Sequence, residues 1–175
     1  MNYYISDTHF GHKGIMTHCN RPFQTVEEMD ETIIENINRK VTAKDDLYIV
    51  GDFCHWNTKT ANPVDYLSRI KGKIHLITGN HDKNLLRNKE AKSYFVDIRQ
   101  YADIKDGNRR VILHHFPLAE WDGYYNDSYH IYGHIHNNTQ SPAFLFMKTL
   151  ERAFNVSADV LDFEPKTLDE LIQKG

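Results

Sequence analysis

Apolar residues fall into short runs along this chain, and the runs end in Gly, Asp or His. NYYIS precedes Asp7, DDLYIV (45–50) precedes Gly51-Asp52, and KIHLIT (73–78) precedes Gly79-Asn80-His81-Asp82. RRVILH (109–114) precedes His115, and YHIY (129–132) precedes Gly133-His134-Ile135-His136. Short apolar runs bounded in this way predict buried strands. A different period appears over 25–41, where apolar positions 26, 29, 33, 34, 37 and 41 share one helix face. Thr25 and Glu28 have the spacing of a capping box. Asn62-Pro63 begins a second predicted helix over 62–70, and 82–90 is a candidate third. Asp106-Gly107 joins two strand-like segments as a hairpin. The tail carries a strand, a turn at Pro165 and a short helix begun at Thr167, whereas 138–152 shows no deciding period. Strand–helix alternation followed by hairpins predicts an α/β layered domain over 1–175, with its chemistry on loops at strand exits.

Composition narrows the function classes. A length of 175 residues suits one domain. No apolar run is long enough to span a bilayer. A first strand ending just before Asp7 leaves no room for a signal peptide, and Cys19 and Cys54 form no disulfide framework. The expected location is therefore cytoplasmic and reducing, with no membrane partner. A formal net charge of -3 lacks the broad basic surface that extended nucleic acid requires, although two bound divalent cations would make the sum positive. Histidine stands apart, with 11 in the chain against about four expected from average usage. Such a surplus points to metal binding or proton transfer.

Five strand exits carry the polar groups: Asp7-Thr8-His9, Gly51-Asp52, Gly79-Asn80-His81-Asp82, His115 and Gly133-His134-Ile135-His136. Each alone is weak, since Asp-x-His and Gly-Asp mark ordinary turns and Gly-His-x-His is a metal pair or a surface pair. Together and in this order, from residue 7 to 136, they resemble the five-part signature of the calcineurin-like metallophosphoesterase superfamily. YISDTHFGH, RPF at 21–23 and LYIVGDF at 47–53 are similar to a small bacterial and phage branch of it. The resemblance implies a four-layer αββα sandwich and a binuclear metal centre. Asp7, His9, Asp52 and His136 would hold one ion, Asp52, Asn80, His115 and His134 the other, with Asp52 bridging. Oxygen and imidazole donors without cysteine suit Mn²⁺ first, then Fe²⁺, Zn²⁺ or Ni²⁺. The implied reaction is hydrolysis of phosphate esters by a metal-bound hydroxide, with His81 as general acid. A small nucleotide-like phosphodiester is the expected substrate, with phosphomonoesters or short single-stranded nucleic acid ends as alternatives. A non-catalytic scaffold is the rival class, disfavoured because all seven ligands and His81 are present.

Several residues carry narrower expectations. Period-two alternation along an extended strand predicts Asp7 and His9 on one side. The family's single His lies two residues before a proline, which selects His115 over His114 because Pro117 follows. GDFCHW lacks the Arg of the protein-phosphatase branch, so a phosphoprotein phosphatase fits poorly. Arg21 and His12, on the long loop after Asp7 with Lys13, are candidate substrate contacts, against a solvated loop as the simpler reading. Cys54 reads as a buried apolar residue rather than a nucleophile. Asp82 caps the following helix or, less simply, orients His81. Trp121, Tyr124 and Tyr125 pack on one another or offer a wall to a nucleobase. Asn155 and Asp159 are expected to support the ligands. His18, His55, His75 and His130 have no predicted role, His55 being nearest Asp52 in sequence.

Overall fold

The computed structural model describes residues 1–55 and 61–174, so Trp56 of GDFCHW lies outside the described residues. Strands β1 (Asn2–Ile5), β2 (Asp46–Ile49), β3 (Lys73–Ile77) and β4 (Phe95–Arg99) form one parallel sheet in that order. Tyr3 lies opposite Leu47, and Leu47 opposite Ile74. In the second sheet, β5 (Tyr101–Asp106) and β6 (Arg109–His114) form the predicted hairpin, and β7 (Tyr129–Tyr132) and β8 (Ala153–Asn155) extend it in parallel.

The helices are α1 (Lys13–His18), α2 (Val26–Lys40), α3 (Pro63–Leu67), α4 (Lys89–Ser93), α5 (Pro142–Met147) and α6 (Leu168–Lys174). At the start of α2 the Thr25 hydroxyl accepts from the Glu28 amide at 3.1 Å. The Glu28 carboxylate accepts from the Gln24 amide, one residue ahead of the usual box partner. The predicted apolar stripe is realised, and Met29, Ile33, Ile34 and Ile37 are buried.

Side-chain alternation in the first sheet feeds two cores. Tyr3, Ile5, Leu47, Ile49, Ile74 and Leu76 pack with α2, each fully buried apolar side chain contributing about 2–3 kcal/mol. Tyr4, Val50 and Ile77 face Val111, Leu113 and Ile131 of the second sheet, with Leu168 and Leu171 of α6 joining them. Both faces of the parallel sheet are thereby covered, as parallel strands require. On the far side of the second sheet lie α5, with Phe144 and Met147 beside Tyr132, and the loop carrying Trp121 against His130.

Three segments depart from the sequence reading. The single helix predicted over 82–90 is split into a 3-10 turn at Leu85–Arg87 and α4. Asn88 is extended there and caps α4 by accepting from Ala91 N at 3.0 Å. The undecided 138–152 segment contains α5, started by Ser141 as cap and Pro142 in the first turn. The loop after Asp7 contains α1.

The carboxyl ends of β1, β2, β3, β6, β7 and β8 converge. Asp7 N donates to Gly51 O at 3.0 Å, Ser6 N to Val156 O at 2.8 Å and Gly133 N to His115 O at 2.9 Å. These bonds tie the strand exits of both sheets into one edge.

Candidate metal centre

The backbone at this edge is not extended. β1 ends at Ile5, and Asp7 and His9 have φ values of 53° and 51°, so strand alternation does not place them together, contrary to the sequence reading. Asp52, His134 and His136 also have positive φ. A left-handed non-glycine residue costs about 1–2 kcal/mol, and such residues persist where the surroundings over-determine them. Here the hydrogen bonds His9 N to Asp52 O, Asp7 N to Gly51 O and His134 N to the Asp7 carboxylate do so. Two glycines allow the loops to close. A Cβ on Gly79 would overlap the Asp52 carboxylate, and one on Gly133 would overlap Ser6 Oγ and Asp7 Oδ2.

Asp7, His9 and His136 form one group of donors, and Asp52, His115 and His134 another, the donor atoms of each lying within 4.8 Å of one another. Asp7 Oδ2 accepts three hydrogen bonds, from Ser6 Oγ, Ser157 Oγ and His134 N. Its Oδ1 is buried with no partner and lies 3.8 Å from His136 Nε2. Both ring nitrogens of buried His9 are likewise without a partner. Asp52 Oδ2 lies between the groups, 3.8 Å from His9 Nε2 and 3.4 Å from His115 Nε2. The other Asp52 oxygen accepts from His81 N at 2.8 Å. His115 is fully buried, its Nδ1 2.8 Å from Val50 O, so Nε2 faces Asp52 and Asn80 Oδ1. His114 points elsewhere, with Nδ1 at Phe116 O.

Behind the first group stands a relay. His136 Nδ1 is 2.6 Å from Asp159 Oδ2, and Asp159 accepts from Arg21 Nε at 2.7 Å. Arg21 also donates to Thr8 O and Asp7 O. Its side chain is 0% exposed. This corrects the expectation that Arg21 meets substrate: its charge is spent inside, locking the Asp7–His9 loop to His136. Asn155, as expected of a support, donates to His136 O.

Asp82 answers to neither sequence reading. Its buried carboxylate accepts from Asp52 N, Phe53 N and Gly79 N, stapling the β2 exit to the β3 exit. Cys54 is buried, which pushes its thiol up to about 12 and removes it as a nucleophile. Trp121 packs on Tyr124 and donates to Ser128, whereas Tyr125 is exposed; none of the three lines the cavities at the site. His75 is held between Asp46 and Asp97, and His130 between Ile112 O and Leu118 N.

A cavity of about 440 Å³ opens over the two groups, lined by His9, His12, Asp52, Asn80, His81 and both histidines of Gly-His-x-His, with His18. His12 stacks on His55 with ring centroids 4.3 Å apart, and His81 meets His9 edge-on at 5.3 Å. His18 and Phe116, which carried no sequence signal, reach the site only through the fold.

The electrostatics favour a cation. Burial opposes charge on His136, but its hydrogen bonds to Asp159 and Cys19 and the Asp7 charge raise it to about 10. His115 reaches about 9 against its own burial, through Asp52 and Asp7. Burial raises Asp52, and His115 and His9 outweigh it to bring the carboxyl to about 2. His9 is held well below its ordinary value by burial, which suits the neutral imidazole a metal requires.

The calcineurin-like phosphoesterase family matches residues 3–140. The chain belongs to that family. As a calcineurin-like phosphoesterase it is a metal-dependent phosphoesterase. It is 35% identical over 176 residues to the uncharacterised protein MJ1445 of Methanocaldococcus jannaschii, across 99% of this chain and 92% of that one. A protein of unknown function from Aquifex aeolicus has a similar structure, with a TM-score of 0.76, 27% identity and coverage of 100% and 99% of the two chains. The family is typically dinuclear, and the residues present fit two ions: the unpaired Asp7 oxygen, the unpaired His9 nitrogens and the shared Asp52 are donors in search of cations. Among the described residues no helix is long and apolar enough to cross a membrane.

Proposed function

We propose that this phosphoesterase is a cytoplasmic phosphodiesterase acting on small nucleotide-like substrates, using two divalent ions, Mn²⁺ by preference. Asp7, His9 and His136 would hold one ion, Asn80, His115 and His134 the other, with Asp52 shared. The pair would supply positive charge to the phosphoryl oxygens and acidify a water at neutral pH. The chain's own residues do the rest. Asp159 and Val50 O fix the ring orientations of His136 and His115. His81, in the cavity beside His9, is positioned to give a proton to the departing oxygen. His12 lines the same cavity and would contact the substrate phosphate there.

The observation that carries the diester preference is the lack of a cationic side chain. No Lys or Arg is found among the described residues lining the cavity, and Arg21 is turned away. The ions alone then meet the charge of the substrate, and a diester brings one negative charge where a monoester brings up to two. The same lack speaks against extended nucleic acid, whose flanking phosphates need Lys and Arg.

The test pairs metal analysis of the purified protein with hydrolysis of bis-p-nitrophenyl phosphate and p-nitrophenyl phosphate, with and without Mn²⁺. Two metals per chain and faster diester turnover are expected. Faster monoester turnover would overturn the diester reading, and absence of metal uptake would overturn the centre itself.

A further inference from the structure

A second cavity, of about 730 Å³, adjoins the metal centre and shares His134 and His136 with it. His81, Asn80 and Asp52 do not line it, so it extends from the two donor groups on the side away from the proposed proton donor. Among the described lining residues there is no Lys, Arg, Asp or Glu. One wall is Phe116, whose ring is braced by His134 at a centroid distance of 4.4 Å and by the edge of His115 at 5.2 Å. The residue remains 41% exposed, so it offers apolar surface to a ligand. The segment from Asn137 to Ser141 lines the same cavity. Asn137 is anchored there by donating to Cys19 O at 2.7 Å, and Asn138 closes a turn by accepting from Gln140 N. Asn138 and Gln140 carry amides on exposed positions of this turn; the Asn138 NH₂ and the Gln140 Oε1 are left for a ligand, since Asn138 Oδ1 accepts from Gln140 N and Gln140 Nε2 donates to Thr139 Oγ1.

We propose that this cavity is a nucleoside subsite: it receives the uncleaved, uncharged group of a phosphodiester, a base stacked on Phe116 with its polar edge toward Asn138 and Gln140. The proposal deepens the phosphodiesterase reading and rests on it. An aromatic ring braced beside neutral amides suits a flat group that needs both stacking and hydrogen bonds. With no Lys or Arg among the described lining residues to hold a second phosphate, the cavity suits mononucleoside esters better than the phosphate chains of oligonucleotides.

The test uses two esters with one leaving group and one charge, thymidine 5′-(p-nitrophenyl phosphate) and methyl p-nitrophenyl phosphate, on the metal-loaded protein. The subsite predicts a kcat/KM at least tenfold higher for the nucleoside ester, the size expected for stacking one base on an aromatic ring. Phe116→Leu should lower that ratio about tenfold, and Asn138→Ala, on an exposed turn, should lower it severalfold. Equal kcat/KM for the two esters in the wild type would overturn the subsite and leave the phosphodiesterase standing. A fall in both esters by the same factor in Phe116→Leu would also overturn it, because Phe116 would then act only by bracing His134. Turnover of neither ester would sink the phosphodiesterase reading instead. Calorimetric binding then decides the subsite: thymidine 5′-monophosphate should bind at least tenfold more tightly than methyl phosphate, and equal affinities would overturn it.

Discussion

Replacing Asp159 by Asn keeps the side chain's shape and removes its charge. In the structure this carboxylate accepts from His136 Nδ1 at 2.6 Å, from Arg21 Nε at 2.7 Å and from Arg21 Nη2 at 3.2 Å. An amide has one oxygen, so one of these neighbours must face its NH₂ group, donor against donor. Two consequences follow. His136 loses the partner that sets its tautomer and basicity, and loss of such an outer partner weakens metal binding by about 10–100-fold, or roughly 1.4–2.7 kcal/mol. Arg21, with a side chain that is 0% exposed, loses its counter-charge. Breaking a buried pair costs about 3–5 kcal/mol. Arg21 keeps its bonds to Thr8 O and Asp7 O, so a loss near the lower end, about 3 kcal/mol, is expected. Titration with Mn²⁺ against a chromophoric chelator should show one site weakened 10–100-fold and the other changed far less, because Asp159 touches only the group of Asp7, His9 and His136. Urea unfolding of the metal-free variant reads the stability term separately. Equal weakening of both sites, or none, would refute the relay.

His81→Ala should retain two metals while slowing esters with alkoxide leaving groups more than nitrophenyl esters; equal slowing would count against a proton donor. His115→Ala should strip a metal and His114→Ala should not, as metal analysis of both variants would report. Burial raises the Asp30 carboxyl to about 6, against the hydrogen bonds from Gly11 N and Tyr66 that lower it. Its folded pKa thus exceeds its unfolded one, so its favourable contribution is complete below about 4 and is lost as pH rises through about 6, at a cost of up to about 3 kcal/mol. Urea midpoints of the metal-free protein at pH 4 and pH 7.5 should therefore diverge more in the wild type than in Asp30→Asn, and parallel pH profiles would exclude the effect.

The legible parts of the fold were those set by local pattern. Apolar runs marked β1, β2, β3, β6 and β7 at their exits, and a 3.6-residue stripe with its cap marked α2. The segment 82–90 was misread because Asn88, a cap within an apparently helical stretch, interrupts it. The short α5 was undecided because six residues give too little period to detect. His115 was separable from His114 only by its spacing to Pro117; the burial that distinguishes them comes from packing.

The sequence by itself determined which chemistry is available, because oxygen and imidazole donors at five strand exits are a property of residue type and order. Tertiary structure decided which of those groups meet and which turn inward. Asp7 and His9 are brought together by left-handed backbone that long-range hydrogen bonds hold, rather than by strand alternation. Arg21, 138 residues from Asp159, became an internal strut, and Asp82 became a staple between two loops. Neither role has a local signature, since a buried charge takes its function from partners that only the folded chain supplies. Phe116 entered the site for the same reason: one aromatic residue beside a predicted ligand gains meaning only when residues 21 to 25 positions away come to line the same cavity.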